Sequence, residues 1–157
     1  MNAPTQTPDN TFVLAAGIMI DPSGKLLVVR KANTQKFMLP GGKIDANETP
    51  LETLLREIKE EIGITLSPAL PQFIQKYRAP AANEPGFFIE SNLFMLLLPQ
   101  HMKATPKSEI AEARWITPKE AESLDLAPLM RSFVVPLWLD LIQDIGKDLG
   151  FHNPFDA

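Results

Sequence analysis

The segment 42–64 constrains this chain more than any other, because its residues specify a helix with two different faces. Thr49 is followed by Pro50 and, three positions after Thr49, by Glu52; in this pattern the threonine and glutamate side chains cap the first backbone amides of a helix. Gly63 supplies the left-handed residue that commonly ends a helix. Aliphatic residues recur between these ends at helical spacing: Leu51, Leu54, Leu55, Ile58 and Ile62. The segment therefore predicts an amphipathic helix with one apolar stripe for the core.

A second face of this helix carries carboxylates. Glu57, Glu60 and Glu61 stand at positions i, i+3 and i+4, so they project from neighbouring parts of the helix surface. Like charges at this spacing repel, at a cost of roughly 0.2–0.5 kcal/mol for each pair. A hard divalent cation such as Mg²⁺, which prefers oxygen ligands, would offset that repulsion. The alternative is an ordinary solvated acidic face.

The spacing within this segment resembles the signature sequence of the Nudix hydrolases. The residues that match its fixed positions are Gly42, Glu48, Arg56, Glu57, Glu60, Glu61 and Gly63. At ordinary residue frequencies, a chance match to these identities has a probability of about 10⁻⁸ per starting position. The resemblance implies the fold of that family, an α/β/α sandwich in which a mixed β-sheet lies between helices. It also implies structural roles for Gly42, Glu48 and Gly63 within the segment.

The resemblance further implies a reaction, in which water attacks phosphorus in a nucleoside diphosphate linked to another group, X, with Mg²⁺ or Mn²⁺ bound. The implied metal ligands are the side chains of Glu57, Glu60 and Glu61 and the backbone carbonyl of Gly41 or Gly42. Arg56 and Glu48 would tie the preceding loop to the helix and hold the acidic face in place. A diphosphate bridge is polyanionic, so cations must neutralise it before a nucleophile can attack. The general base would be a helix glutamate or a glutamate on a separate loop.

A loop glutamate for that role lies in the segment 108–115. Mutator-type Nudix enzymes carry an additional metal-binding or catalytic glutamate in a segment that this one resembles. Glu109, six residues before Trp115, is the residue that the resemblance selects. Glu112 is the competing residue, and the alternative for both is that they decorate an exposed loop.

Residues that would contact the substrate are less sharply defined. Arg30 and Lys31 end a predicted strand, where they either meet phosphate groups or are ordinary strand-end charges. Asn83 lies in the loop 78–86, which is expected to face the substrate. Aromatic side chains near this loop either stack on a ring of the substrate or pack in the core: Tyr77, Phe87 and Phe88.

Two further features bear on which substrate is used. Family members that hydrolyse oxidised guanine nucleotides read the base with an asparagine in the C-terminal part, and this chain has no asparagine from 99 to 151. Pro80 lies sixteen positions beyond the signature segment, where ADP-ribose pyrophosphatases of the family carry a proline. We expect a nucleoside triphosphate or related nucleotide as substrate, with an ADP-ribose or dinucleotide pyrophosphatase as the alternative. A nucleotide-sensing module without turnover is disfavoured, because the acidic face is intact.

Composition limits the remaining possibilities. The chain has 157 residues, 45% of them hydrophobic, which suits one domain with an ordinary core. We place that domain at 11–146, between a flexible N-terminal lead (1–10) and a C-terminal tail (147–157). The absence of cysteine fits a reducing cytoplasm, and no apolar run approaches the roughly 18 residues of a membrane span. The net charge of −4 disfavours binding to a nucleic-acid polymer.

The rest of the chain consists of short β segments followed by helices. The predicted strands are 12–20, 26–30, 73–77, 87–98 and 113–116. The apolar run 93–98 predicts burial on both faces of its strand. The segment 117–120 repeats the helix-start pattern, and 129–145 is predicted to be helical with a break or kink at Pro136. The apolar face of that last helix either supports a homodimer or packs within the chain.

Overall fold

The structure, a computed structural model, describes residues 6–7 and 10–148. Its strands are β1 (Gln6–Thr7), β2 (Thr11–Ile20), β3 (Leu26–Lys31), β4 (Gly41–Lys43), β5 (Gln72–Pro80), β6 (Phe88–Leu97) and β7 (Ile110–Ile116). Its helices are α1 (Pro50–Ile62), α2 (Pro118–Ser123) and α3 (Val135–Asp148), and a π-helical segment, Met130–Val134, leads into α3. Among these described residues, no helix has the length and apolar character needed to cross a membrane.

The strands form one mixed sheet, with the central order β5-β6-β2-β3-β7. β2 and β6 run parallel over their whole length, with Thr11 opposite Phe88 and Ile20 opposite Leu97. The other strand pairings are antiparallel. β4 pairs with residues 14–16 of β2, away from Ile20, where β2 pairs with Leu26 of β3. One buried cluster packs between the sheet and α1, and another packs between the sheet and α3. The predicted α/β/α sandwich with a mixed sheet is therefore confirmed.

The sequence signals at both ends of α1 act as predicted. The Thr49 hydroxyl accepts a hydrogen bond from the Glu52 amide at 3.1 Å, and the Glu52 carboxylate accepts one from the Thr49 amide at 2.9 Å. Gly63 ends the helix with φ of 72°. Between these ends, Leu54 and Ile58 are fully buried against the sheet, and each such side chain contributes roughly 1.5–3 kcal/mol. Burial of this stripe fixes which way the acidic face points.

Several strands differ from the sequence-based predictions in length. Gly41–Lys43, which is not among the predicted strands, is strand β4, because its backbone pairs with β2. β5 runs to Pro80, well past the predicted end, because it pairs with β6 along its length. β7 begins at Ile110, so that Glu112 lies in a strand paired with Arg30 and not in a loop. The predicted burial on both faces of 93–98 was wrong at Leu97, which is 45% exposed.

The predicted break at Pro136 takes the form of a change in helix type one turn earlier. The amide of Val135 donates to the carbonyl of Met130, a π-type bond, and the regular helix begins at Val135. Pro136, in the first turn of α3, has no amide to donate. The change from π-type to α-type bonding thus falls directly before the residue that cannot donate.

The predicted boundaries of the lead and the tail differ from the bounds of the first strand and the last helix. Gln6–Thr7, inside the predicted lead, pairs with β2, and α3 extends to Asp148, two residues into the predicted tail. The remaining predictions for 1–5, 8–9 and 149–157 lie outside the described residues.

Replacing Trp138 with Phe is expected to lower the free energy of unfolding by about 1–3 kcal/mol. Trp138 is fully buried in α3, and its indole Nε1 donates to the Gly24 carbonyl at 2.8 Å, which fixes the turn after β2. Phenylalanine removes that donor and leaves a void. Urea unfolding measures the loss, with the exposed Leu97→Ala as a control that should cost less than about 1 kcal/mol. Equal losses in the two variants would contradict this assignment.

Candidate active site

Arg56 is the centre of an ion-pair network at the exposed side of α1. Its Nε and Nη2 donate to the two oxygens of Glu48 at 2.7 and 2.9 Å, a bidentate pair. The Thr53 hydroxyl donates to the same carboxylate at 2.7 Å. These bonds from Arg56 and then Thr53 lower the pKa of Glu48 to about 2. The loop before α1 is thereby tied to the helix, which is the geometry expected of orienting residues.

The Glu57 carboxylate lies between Arg56 and the Gly41–Gly42 backbone. Arg56 Nη1 donates to Glu57 Oε2 at 3.0 Å. A Cβ added to Gly42 would stand 2.6 Å from the same oxygen, so the carboxylate rests directly on this glycine. Burial raises the pKa of Glu57, against the lowering effect of Arg56. The position therefore favours a partner that carries positive charge.

Glu61 is the most deeply buried carboxylate of α1, at 3% exposure. Its Oε1 accepts a hydrogen bond from the Gly41 amide at 3.0 Å, which joins α1 to β4. Burial raises the pKa of Glu61 to about 8, and the neighbouring Glu57 and Glu109 act in the same direction. Two carboxylates with raised pKa values, Glu57 and Glu61, thus adjoin each other beside Gly41–Gly42.

Glu60 takes a different position from the other two helix carboxylates. Its side chain is about half exposed and pairs with Arg56 Nη1 at 3.2 Å. Within the described part of the chain, no three histidine, cysteine, aspartate or glutamate side chains are grouped so that they could hold a metal ion together. The same Arg56 Nη1 also donates to Glu57, whereas Glu61 accepts its hydrogen bond from the Gly41 amide. Glu60 as a third ligand therefore remains a prediction that requires its side chain to turn.

Glu109 and Lys31 form an ion pair close to the buried carboxylates. Lys31 Nζ lies 3.7 Å from Glu109 Oε1, and the glutamate side chain is 61% exposed. Both residues act electrostatically on Glu61: Lys31 lowers the pKa of Glu61 and Glu109 raises it. Glu109, which directly precedes β7, is thus close enough to act on the α1 carboxylates, and its role in the reaction stays a prediction.

Arg30 and Glu112 pair with each other away from this group. Arg30 Nε donates to Glu112 Oε1 at 3.3 Å, and its Nη1 donates to the Thr34 carbonyl at 2.8 Å. Arg30 is therefore bonded to residues at the end of β3 and in the paired strand β7, which agrees with the alternative that it is an ordinary strand-end charge. Glu112 is a strand residue, so the exposed-loop interpretation was wrong for it.

A cavity of about 120 Å³ opens beside Gly41–Gly42 on the α3 side of the sheet. Two of the side chains that line it are cationic, Lys31 and Lys43, and Asn83 lines it as well.

Tyr77 is not among the lining residues, because its ring packs against Phe133 with centroids 4.7 Å apart. The remaining aromatic candidates occupy other positions. Phe87 stacks on Phe12 at 5.2 Å, and Phe88 packs under Arg78 at 4.5 Å.

Sequence reasoning missed most of this cavity. The lining residues it did not identify include Phe12, Leu14, Met38, Lys43, Ser91 and Leu129. They come from β2, β4 and β6, from the segment between β3 and β4, and from the residue before the π-helical segment, so no local pattern marks them as a group. The one available signal was Lys43, a cation next to the glycine pair.

The raised pKa of Glu61 predicts how the stability of the metal-free protein depends on pH. The folded state holds the Glu61 proton to about pH 8, whereas the unfolded chain releases it near 4.5. With respect to this group, the free energy of unfolding should therefore be highest below about pH 4.5, where both the folded and the unfolded state hold the proton. It should then fall by up to about 1.4 kcal/mol per pH unit until the pH passes about 8.

Urea unfolding in EDTA at several pH values tests this dependence. Glu61→Gln should flatten the decline, because glutamine does not titrate, whereas the exposed Glu122→Gln should leave it unchanged. Identical slopes for the wild type and Glu61→Gln would show that Glu61 ionises normally in the folded protein.

Comparison with known proteins identifies the class to which this fold and site belong. A family model described as the NUDIX domain matches residues 11–135. The chain belongs to the Nudix family.

Relatives within the family are named for different substrates. An 8-oxo-dGTP diphosphatase from Haemophilus influenzae is 44% identical over 55 residues, which cover 32% of this chain and 40% of that protein. An ADP-ribose pyrophosphatase from Methanocaldococcus jannaschii is 33% identical over 102 residues, 64% of this chain and 59% of that protein. The chain thus spans less than two thirds of the length of these curated relatives.

The fold has close counterparts among solved structures. The crystal structure of a MutT protein from Methanosarcina mazei Go1 superimposes with a TM-score of 0.66 at 17% identity, covering 89% of this chain and 99% of that one. At this identity the likeness shows the fold alone.

Proposed function

We propose that this protein is a metal-dependent pyrophosphohydrolase that cleaves a phosphoanhydride bond in a nucleoside diphosphate linked to X. The observation that carries the proposal is the pairing of Glu57 and Glu61 beside Gly41–Gly42. Both carboxylates are shielded from water, and both have raised pKa values. Adjacent carboxylates of this kind are characteristic of a site built to receive a cation.

The donor set fits Mg²⁺ or Mn²⁺. Carboxylate and backbone carbonyl oxygens are the ligands that these hard cations prefer, and the described residues offer no cysteine or histidine beside them. Glu57 and Glu61 would hold the metal with the carbonyl of Gly41, and Glu60 would join on leaving Arg56. When bound, the metal would neutralise phosphate charge and lower the pKa of a coordinated water molecule.

The chain's own residues supply the remaining functions. Arg56 and Glu48 hold α1 against its entry loop, which keeps the carboxylates in register with Gly41–Gly42. Lys31 and Lys43 line the cavity next to these glycines and would pair with the phosphate oxygens of the substrate. The proton of the attacking water would pass to a glutamate, with Glu109, Glu57 and Glu61 as the candidates for this base.

The cavity on the other side of Gly41–Gly42 would hold the organic part of the substrate. It begins where the phosphates would lie and extends under the sheet to Ala127 and Met130. A nucleoside triphosphate or related nucleotide is the substrate that we favour, with release of pyrophosphate or phosphate. Asn83, in the cavity wall, is the proposed polar contact from the loop 81–87. Lys43 and Phe12, which line the cavity, are added to the proposed contacts, whereas Arg30 and Tyr77 do not line it.

An ADP-ribose or dinucleotide pyrophosphatase is the second candidate. One observation favours it specifically, because Pro80, at the position noted for ADP-ribose pyrophosphatases, lines the cavity. The relative from Methanocaldococcus jannaschii named for that activity also matches over the longer segment.

A substrate panel tests the two candidates. Purified protein is incubated with nucleoside triphosphates, dinucleoside polyphosphates, ADP-ribose and nucleotide sugars, each with Mg²⁺, with Mn²⁺ and with EDTA. Phosphate, pyrophosphate and nucleoside monophosphate are quantified. We expect metal-dependent release from nucleoside triphosphates. Turnover of ADP-ribose-like compounds alone would establish the second candidate, and binding without turnover of any compound would favour a nucleotide sensor.

A further inference from the structure

Ser91 stands out from the other buried polar residues of the sheet. It lies in the middle of β6, is fully buried, and its hydroxyl has no hydrogen-bond partner. Within the described residues, no other buried side-chain nitrogen or oxygen atom is left unpaired. A buried hydroxyl without a partner costs free energy, so such a group in a native structure calls for a physical explanation.

The neighbouring residue, Asn92, is also buried, but its side chain has a hydrogen-bond partner. Its side-chain amide donates to the Leu14 carbonyl at 3.0 Å, so Asn92 ties β6 to β2. Successive side chains of a strand point to opposite faces, so Ser91 and Asn92 face opposite sides of the sheet. Ser91 shares its face with Ile89, and both residues line the cavity beside Gly41–Gly42.

The rest of the cavity wall is mainly apolar around Ser91. Phe12, Leu14, Met38 and Leu129 contribute to it, whereas the cations Lys31 and Lys43 lie next to the proposed phosphate position. Asn83 and Glu84 are further polar residues of the wall. A mainly apolar wall with a few polar groups suits a flat, largely apolar ring. A serine hydroxyl both donates and accepts, so it can pair with a carbonyl, a ring nitrogen or an N–H group on that ring.

We propose that Ser91 is a specificity-determining residue, which hydrogen-bonds to a polar group on the edge of the nucleobase and so selects among bases. The inference rests on the proposed function, because that function places the nucleoside in this cavity. The hydroxyl has almost no exposed surface, so the ring must press directly against the sheet to reach it. A base without a matching group would bury the hydroxyl unpaired and bind less well.

Binding of nucleoside monophosphates to the metal-free protein tests the inference independently of turnover. Isothermal titration compares guanosine, inosine, adenosine, cytidine and uridine monophosphates, together with purine riboside monophosphate, which lacks the exocyclic groups. We expect the wild type to discriminate among these compounds. Ser91→Ala should weaken the preferred compound by about tenfold and leave the poorer ones almost unchanged, so that the preference disappears.

Two controls separate recognition from structure. Ile89→Val alters the same face of the same strand without a hydrogen-bonding group, so it should shift all compounds alike and keep the preference. The thermal unfolding midpoint of ligand-free Ser91→Ala should be no lower than that of the wild type, because the hydroxyl that is removed has no partner there.

The binding data and the turnover data test different claims. A preference that survives in Ser91→Ala, an equal loss for every base, or a wild type that binds none of the compounds or binds all alike would overturn the inference. Absence of turnover in the wild type, with a Ser91-dependent preference in binding, would instead overturn the proposed function and leave this inference standing.

Discussion

Glu61→Gln is expected to lower Mg²⁺-dependent turnover by about 10³-fold or more while the protein remains folded. Glutamine can still accept the hydrogen bond that the Gly41 amide donates to Glu61 Oε1, so the link between α1 and β4 is kept. It cannot supply the negative charge that a divalent cation requires. Near neutral pH the variant should be at least as stable as the wild type without metal, because a buried carboxylate with a raised pKa has been removed.

Steady-state kinetics on the best substrate of the panel, over a range of Mg²⁺ concentrations, measures this effect. Glu57→Gln should show a comparable loss, and Glu122→Gln, at an exposed residue of α2, is the matched control that should retain wild-type kcat. Wild-type turnover in Glu61→Gln would remove this residue from the proposed ligands.

Gly41→Ala is expected to destabilise the protein by about 4 kcal/mol or more, or to prevent folding. Gly41 has φ of 153°, a conformation that residues with a side chain rarely adopt. An added Cβ would overlap the Ala15 carbonyl oxygen and stand 2.7 Å from the Ala16 Cα. Both are backbone atoms of β2, the strand to which β4 is paired, so neither can move aside without breaking the sheet.

Gly42→Ala provides the contrast. Its added methyl group would meet only the end of the Glu57 side chain, with Oε2 at 2.6 Å, and Gly42 has no left-handed φ. We therefore expect this variant to fold and to lose activity, because the carboxylate must leave its place. Circular dichroism and urea unfolding of both variants, with turnover of Gly42→Ala, provide the measurements. A stable Gly41→Ala would contradict the close approach of β4 to β2.

Helix α1 could be predicted from the sequence because the residues that specify it lie close together along the chain. Thr49 and Glu52 mark the start of α1, Gly63 marks its end, and Leu54 and Ile58 mark its buried stripe. Each of these signals acts within one or two helical turns, so the helix could be placed without tertiary information. The position of the acidic face could be predicted as well, because burial of the apolar stripe sets the orientation of the helix and therefore the direction in which Glu57, Glu60 and Glu61 project.

Strand β4 and the cavity could not be found in this way. Gly41 and Gly42 carry no side-chain pattern that predicts a strand, and only pairing with β2 makes them one. The cavity joins Phe12, Ser91 and Leu129, which are far apart in the sequence and become neighbours through the sheet order. The positions of the cations show the same limit. Arg30 and Lys31 are adjacent, and only the structure shows that Arg30 pairs at the β3–β7 edge while Lys31 lines the cavity.

Glu60 illustrates a different limit. Helical spacing places it on the same face as Glu57 and Glu61, but spacing does not decide which charge its flexible side chain meets. Arg56, one turn away, pairs with it at 3.2 Å. Competition between Arg56 and a cation therefore determines whether Glu60 joins the proposed metal site. Helical spacing alone cannot predict the result of that competition.

The most direct test of the account is the position of Mn²⁺ in crystals of this protein, located by its anomalous scattering. The account predicts a peak within about 2.5 Å of carboxylate oxygens of Glu57 and Glu61, with Glu60 turned away from Arg56 toward the ion. Crystals of Glu61→Gln under the same conditions should show a weakened peak or none. Full occupancy of Mn²⁺ elsewhere on the molecule, with these side chains unmoved and no peak beside them, would contradict the central claim.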